Sequence, residues 1–163
     1  KNIQRISEAK VFHPYKSIPF DMTKTAMALF LSELLSKCLY LAEEKDQIKY
    51  QFIEQSLLHF DESHENFNNF HLQFMLRFAT LLGFRPYSIR TMISDVNTII
   101  TFTVSEGEVQ LFEKLNEQKL NESIKISKTI KNKYLDILVA YFQLHNDQLG
   151  KLKSIQVLRT IFD

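Results

Sequence analysis

Glycine and proline are scarce in this chain, with three of each in 163 residues. Ordinary usage would give about 11 and 8. A phosphate-cradling loop or a dinucleotide fingerprint needs several closely spaced glycines, so both are excluded. A many-stranded β protein is disfavoured too, because tight turns consume Gly and Pro. Tryptophan is absent and cysteine occurs once, at Cys38. A lone cysteine cannot close an internal disulfide and suits a reducing compartment. The longest apolar run, Ala26 to Leu31, is far shorter than the ~20 residues of a membrane span. No leader peptide is evident. The chain starts at Lys1 rather than Met, as expected of a piece of a longer protein.

What is present is helical in character. The length suits one domain with a real core, and fourteen Phe must supply much of its interior. Residues 1–20 carry Pro14 and Pro19 and read as an extended lead-in. Asp21 is placed to cap a helix over Met22 to Leu41, which is apolar on most sides and therefore expected to be central. Glu43, Glu44 and Asp46 form an acidic break. A second helix is expected from Gln47 to Phe60 and a third from Glu65 to Leu82. The third has an apolar stripe (Phe67, Phe70, Phe74, Phe78, Leu81) and a polar one (Asn69, Gln73, Arg77, Thr80). Gly83 is its natural stop, and Pro86 blocks resumption. Residues 87–104 read as an irregular insert with a short strand possible over Ile99 to Val104. Ser105-Glu-Gly-Glu108 spells a capping box, Ser127 caps a helix to about His145, and a last helix follows Gly150. The expected fold is a single, mostly α bundle of about six helices spanning residues 1–163.

No enzyme motif emerges. The five histidines, His13, His59, His64, His71 and His145, lack metal-ligand spacing. Cys38 lies in an apolar helix, where a thiol behaves as a small hydrophobe. Glu33 interrupts the first helix without a second carboxylate nearby in sequence, which favours a structural ion pair over acid–base work. No cofactor, metal or small-molecule substrate is implied.

Charge is balanced overall, at +1, but unevenly distributed. Residues 123–163 carry +4 and the first 122 residues −3. The basic residues there are Lys125, Lys128, Lys131, Lys133, Lys151, Lys153 and Arg159, opposed by Asp136, Asp147 and Asp163. They could form a solvated face or a phosphate-contacting patch that is blind to base sequence and sensitive to salt. Tyr15 and Tyr87 could stack on bases, although packing in the core is the commoner use of such rings.

Five stretches, in order, resemble one family. They are RISEAKVFHPYKSIPFD (Arg5–Asp21), ALFLSELL (Ala28–Leu35), FHLQFMLRFATLLGFRP (Phe70–Pro86), FTVSEGEV (Phe102–Val109) and ILVAYFQLHNDQLGKLKSIQVLRTIF (Ile137–Phe162). The chain resembles the C-terminal helical domain of the RecO recombination mediators, most of all those of Bacteroidetes-type bacteria. Many members hold a four-cysteine zinc element after the Leu-Gly-aromatic-x-Pro turn. Residues 87–104 contain no cysteine, so no zinc site is carried over. The family's N-terminal oligonucleotide-binding barrel has no counterpart in these residues. The resemblance implies a non-enzymatic role in DNA repair and homologous recombination, in the cytoplasm at the nucleoid. It implies single- and double-stranded DNA, RecR and the acidic, Phe-ending tail of single-strand binding protein as partners, with no membrane. DNA contact is expected from the seven basic residues of 125–159, and partner contact from Arg77 and Arg85 on charge alone. The alternative is a helical protein-interaction scaffold that does not touch nucleic acid.

Overall fold

The computed structural model describes residues 8, 10–39, 46–120, 122 and 124–161. Among them the chain forms seven helices and no strand: α1 (Met22–Cys38), α2 (Gln47–Glu62), α3 (Phe70–Leu81), α4 (Ile89–Val96), α5 (Glu106–Glu117), α6 (Lys128–His145) and α7 (Ile155–Ile161). Glu43, Glu44, Ser123 and Phe162 lie outside the described residues.

Local chemistry sets the helix ends. Asp21 accepts the Lys24 amide, Ser105 and Glu108 form a reciprocal capping box, and Ser127 accepts the Ile130 amide. Each satisfies amides that a helix start leaves unpaired. At the end of α3 the chain turns through Gly83 at φ +88°, a conformation in which a Cβ is strained. The Gly83 and Phe84 amides then close back on the carbonyls of Thr80 and Ala79.

The centre is α3, not α1. Nine of its twelve residues are buried, and it packs against α2, α5 and α6. Its phenylalanines continue a ladder of rings. Phe60 stacks on Phe70 at 4.2 Å, Phe74 lies between Phe70 and Phe78, and Phe78 meets Phe142 of α6 at 6.3 Å. Each such pair adds about 0.5–1.5 kcal/mol beyond simple burial. By contrast, α1 leaves Met22 and Leu29 exposed on its outer side.

The expected irregular insert contains a helix. Ser88 and Thr91 form a capping box at the start of α4, and Ile89, Met92, Ile93 and Val96 are its buried side. Ile99 and Ile100 are exposed, and no strand forms over Ile99 to Val104.

Glu33 has a structural task. Its carboxylate accepts the Lys153 amide at 3.0 Å, the Ser154 amide at 2.8 Å and the Ser154 hydroxyl at 2.6 Å, with the Lys37 ammonium 3.6 Å away. It therefore fixes the start of α7 against α1. Burial alone would raise its pKa, but these donors outweigh burial and hold it at about 2.

Candidate nucleic-acid interface

The polar stripe of α3 turns inward at Asn69 and Gln73, whereas Thr80 is exposed. Asn69 and Gln73 are each 1% exposed. The Asn69 amide donates to the Ile124 carbonyl at 2.8 Å, and the Gln73 amide to the carbonyls of Lys119 and Glu122 at 3.2 and 3.1 Å. Arg77 donates to the Gln118 carbonyl. The described residues between α5 and α6 form neither helix nor strand, so their carbonyls need donors from elsewhere. The stripe supplies them and thereby fixes where the basic segment begins.

The seven basic residues divide. Lys125, Lys128, Lys151 and Lys153 are exposed. Lys131 is only 8% exposed, and burial lowers its pKa. It lies on the row of α6 that holds Leu135, Leu138 and Phe142, all buried, so it does not project outward as expected. Lys133 is bound to Glu108 at 2.6 Å and to the Thr103 carbonyl at 3.2 Å, joining α6 to the α5 capping box. Arg159 is paired with Asp136 and ties α7 to α6. These three act within the fold, and so does Arg77. Arg85 is exposed, in the turn after α3.

Nor do the exposed four form one patch. Lys125 and Lys128 lie at the start of α6. Lys151 lies near its far end, because Gln143 donates to the Gly150 carbonyl at 2.8 Å and Lys37 to the Leu149 and Lys151 carbonyls at 2.9 and 2.7 Å. At 1.5 Å per residue, Lys128 and Gln143 are about 22 Å apart along the helix. That distance matches about six or seven phosphates of one B-form strand.

Two hollows lie between helices of the fold. One, about 330 Å³, lies between the lead-in, α1 and α7 and is lined by Pro19, Phe20, Met22, Leu29, Val157 and Ile161. Phe20 and Met22 are largely exposed there, at 84% and 77%. The second, also about 330 Å³, lies between α4, α5 and their connection, with Arg90, Asn97 and Phe102 in its wall. Neither includes Arg77 or Arg85.

Groups suited to bond-making chemistry are poorly placed for it. Burial pushes the half-buried Cys38 thiol up to about 11, only partly offset by the Asn146 side chain, so it stays protonated at neutral pH. Among the described residues no three His, Cys, Asp or Glu side chains converge as a metal cage would require. Among the same residues, no helix is long and apolar enough to cross a membrane.

Residues 19–98 match the family model described as "Recombination protein O C terminal". Relatives named DNA repair protein RecO match over nearly the whole chain. That of Flavobacterium psychrophilum is 31% identical, covering 98% of this chain and 71% of the relative. That of Bacteroides fragilis is 31% identical with the same coverage, and that of Phocaeicola vulgatus is 29% identical over 99% and 72%. No solved structure matches.

Proposed function

The chain belongs to the RecO family of DNA repair proteins, and we propose that within this repair and recombination role it is the helical domain that contacts both DNA and partner proteins, without catalysis of its own. Phosphates are bound by Lys125 and Lys128 at one end of α6 and by Lys151 and Lys153 at the other. The observation that carries this reading is the exposure of these four lysines on a frame held by Asn69, Gln73, Arg77 and Glu33. A frame fixed in advance lowers the ordering cost of binding. The expected result of Lys125→Glu with Lys128→Glu is weaker binding to single- and double-stranded DNA and a salt slope reduced by about two. Fluorescence anisotropy across a salt series measures both. Unchanged affinity and slope would leave the scaffold reading in place.

The hollow between α1 and α7 suits the second contact. It is apolar, and α7, which forms one wall, follows directly on exposed Lys151 and Lys153. An acidic tail ending in Phe, as on single-strand binding protein, needs that combination of apolar pocket and nearby cations. Leu29 is 53% exposed at this wall, so Leu29→Asp spares the core while placing a negative charge in the pocket. The expected effect is a loss of at least about tenfold in affinity for an acidic Phe-terminated peptide, with DNA affinity unchanged. Equal peptide affinity would remove the tail from this site. RecR binding belongs to the same reading and is testable by co-elution with the purified proteins.

A further inference from the structure

Among the described residues, the most exposed large apolar side chain is Tyr87, at 97%. Its backbone is held from both directions. Upstream, Gly83 and Phe84 close the end of α3, and the Phe84 ring lies against Tyr141, Phe142 and His145 of α6. The Phe84 carbonyl accepts the Tyr141 hydroxyl at 2.9 Å. Downstream, Ser88 begins the capping box of α4. Between these anchors, Pro86 fixes its own φ and restricts Arg85 to extended backbone. The chain bends at Tyr87, two residues after exposed Arg85. A rigid mount for a bare aromatic ring removes most of the ordering cost of stacking on it.

The charge around the ring indicates what stacks there. Arg85 is exposed. Arg90, three residues on, lies beside the α4–α5 hollow, which Phe102 also lines. Arg90 is paired with Glu106, but both side chains are more than half exposed. Such a pair is worth little and gives way to a phosphate. An open ring, two guanidiniums and an adjoining hollow are the parts of a single-strand site, in which aromatic faces take bases and cations follow the backbone. A paired duplex keeps its bases stacked internally and does not offer their faces.

We propose that Tyr87, with Arg85 and Arg90, forms a base-stacking site for single-stranded nucleic acid, separate from the lysines of the 125–153 segment. It rests on the reading that this domain binds DNA. The chain contains no tryptophan, so Tyr87→Trp creates a single reporter at a position that is 97% exposed. Oligothymidine should quench that tryptophan, whereas a duplex of equal length at equal salt should not. Tyr87→Ala should weaken single-strand binding by about tenfold, without changing its salt slope or the duplex affinity. The lysine reversals should do the opposite, lowering the slope while leaving the quench at saturation intact. If oligothymidine binds without quenching and Tyr87→Ala has no effect, the stacking site is wrong and the DNA-binding reading survives. If no DNA binds the parent protein, both fall. Quenching by the acidic peptide instead of oligothymidine would make Tyr87 a protein contact and overturn the proposal.

Discussion

Asp61→Ala should lower the melting temperature by about 10 °C, from a loss of about 3–5 kcal/mol. Asp61 lies in the last turn of α2 and is 6% exposed. Its carboxylate accepts three consecutive amides of the lead-in, from Lys16, Ser17 and Ile18, at 2.7, 2.8 and 2.8 Å. Its backbone carbonyl accepts the Ser17 hydroxyl and the ammonium of Lys24 at 2.9 Å. Lys24 is itself only 2% exposed and lies over the rings of Phe60 and Phe67 at 5.5 and 5.0 Å. Burial raises the Asp61 pKa, but the three amides and the Ser17 hydroxyl outweigh it, so the net shift is downward. Alanine would strand those amides and leave a buried cation with less negative charge beside it. Asn is nearly isosteric and keeps one acceptor oxygen, so Asp61→Asn should cost about half as much. Neighbouring Glu62 is exposed, and Glu62→Ala is the control. Hydrogen exchange should show the 16–18 amides losing protection in Asp61→Ala. A melting temperature within about 2 °C of the parent would show that the lead-in is not held by this carboxylate.

The Asp61 clasp and the hydrogen bonds from Asn69, Gln73 and Arg77 to the α5–α6 connection mark the boundary of what the sequence conveys. Caps were legible because their chemistry is local: Asp21, Ser105 with Glu108, Ser127 and Gly83 all perform the tasks their positions suggest. The α4 helix was legible in principle, since Ser88 and Thr91 have cap spacing and Ile89, Met92, Ile93 and Val96 have helical spacing. Eight residues next to β-branched Ile99 and Ile100 give that periodicity little weight. The polar stripe of α3 was visible, but a pattern of polarity does not distinguish water from a buried carbonyl. Asn69 and Gln73 needed the fold to show that they face the carbonyls of Lys119, Glu122 and Ile124. The basic segment shows the same limit. Net charge counted seven cations alike, whereas helical register already set Lys131 in line with Leu135, Leu138 and Phe142. Lys24 likewise precedes Met27, Leu31 and Leu34 on the buried side of α1. Pairing between distant elements, as in Lys133 with Glu108 or Arg159 with Asp136, leaves no local signal.

Acidification from pH 6.5 to 4.5 should destabilise the protein by about 2–3 kcal/mol through His71. His71 lies on α3 and is fully buried, with its ring edge-on to Phe30 at 6.4 Å between centroids. Burial, reinforced by the charge of Lys131, pushes its pKa from 6.5 down to about 3. The unfolded chain takes up a proton on this ring near pH 6.5, and the folded chain refuses it until about pH 3. The unfolded state therefore binds more protons throughout this interval, and stability falls as pH falls. Above pH 6.5 both states are neutral at this site and no slope arises from it. Glu33 acts in a lower window. Its folded pKa of about 2 lies below the ordinary 4.5, so its contribution is fully present above 4.5 and disappears as pH falls toward 2. Asp61, lowered from 3.8, is also lost at the acid end. The interval from 6.5 to 4.5 thus isolates the histidine from both carboxylates. Urea melts at half-unit pH steps should show a slope of about 1.4 kcal/mol per unit there, and His71→Gln should flatten it whatever its absolute stability. A variant that keeps the parent slope would assign the acid sensitivity to another group. The charge of Lys131, in the first turn of α6, thus acts on a ring in the first turn of α3.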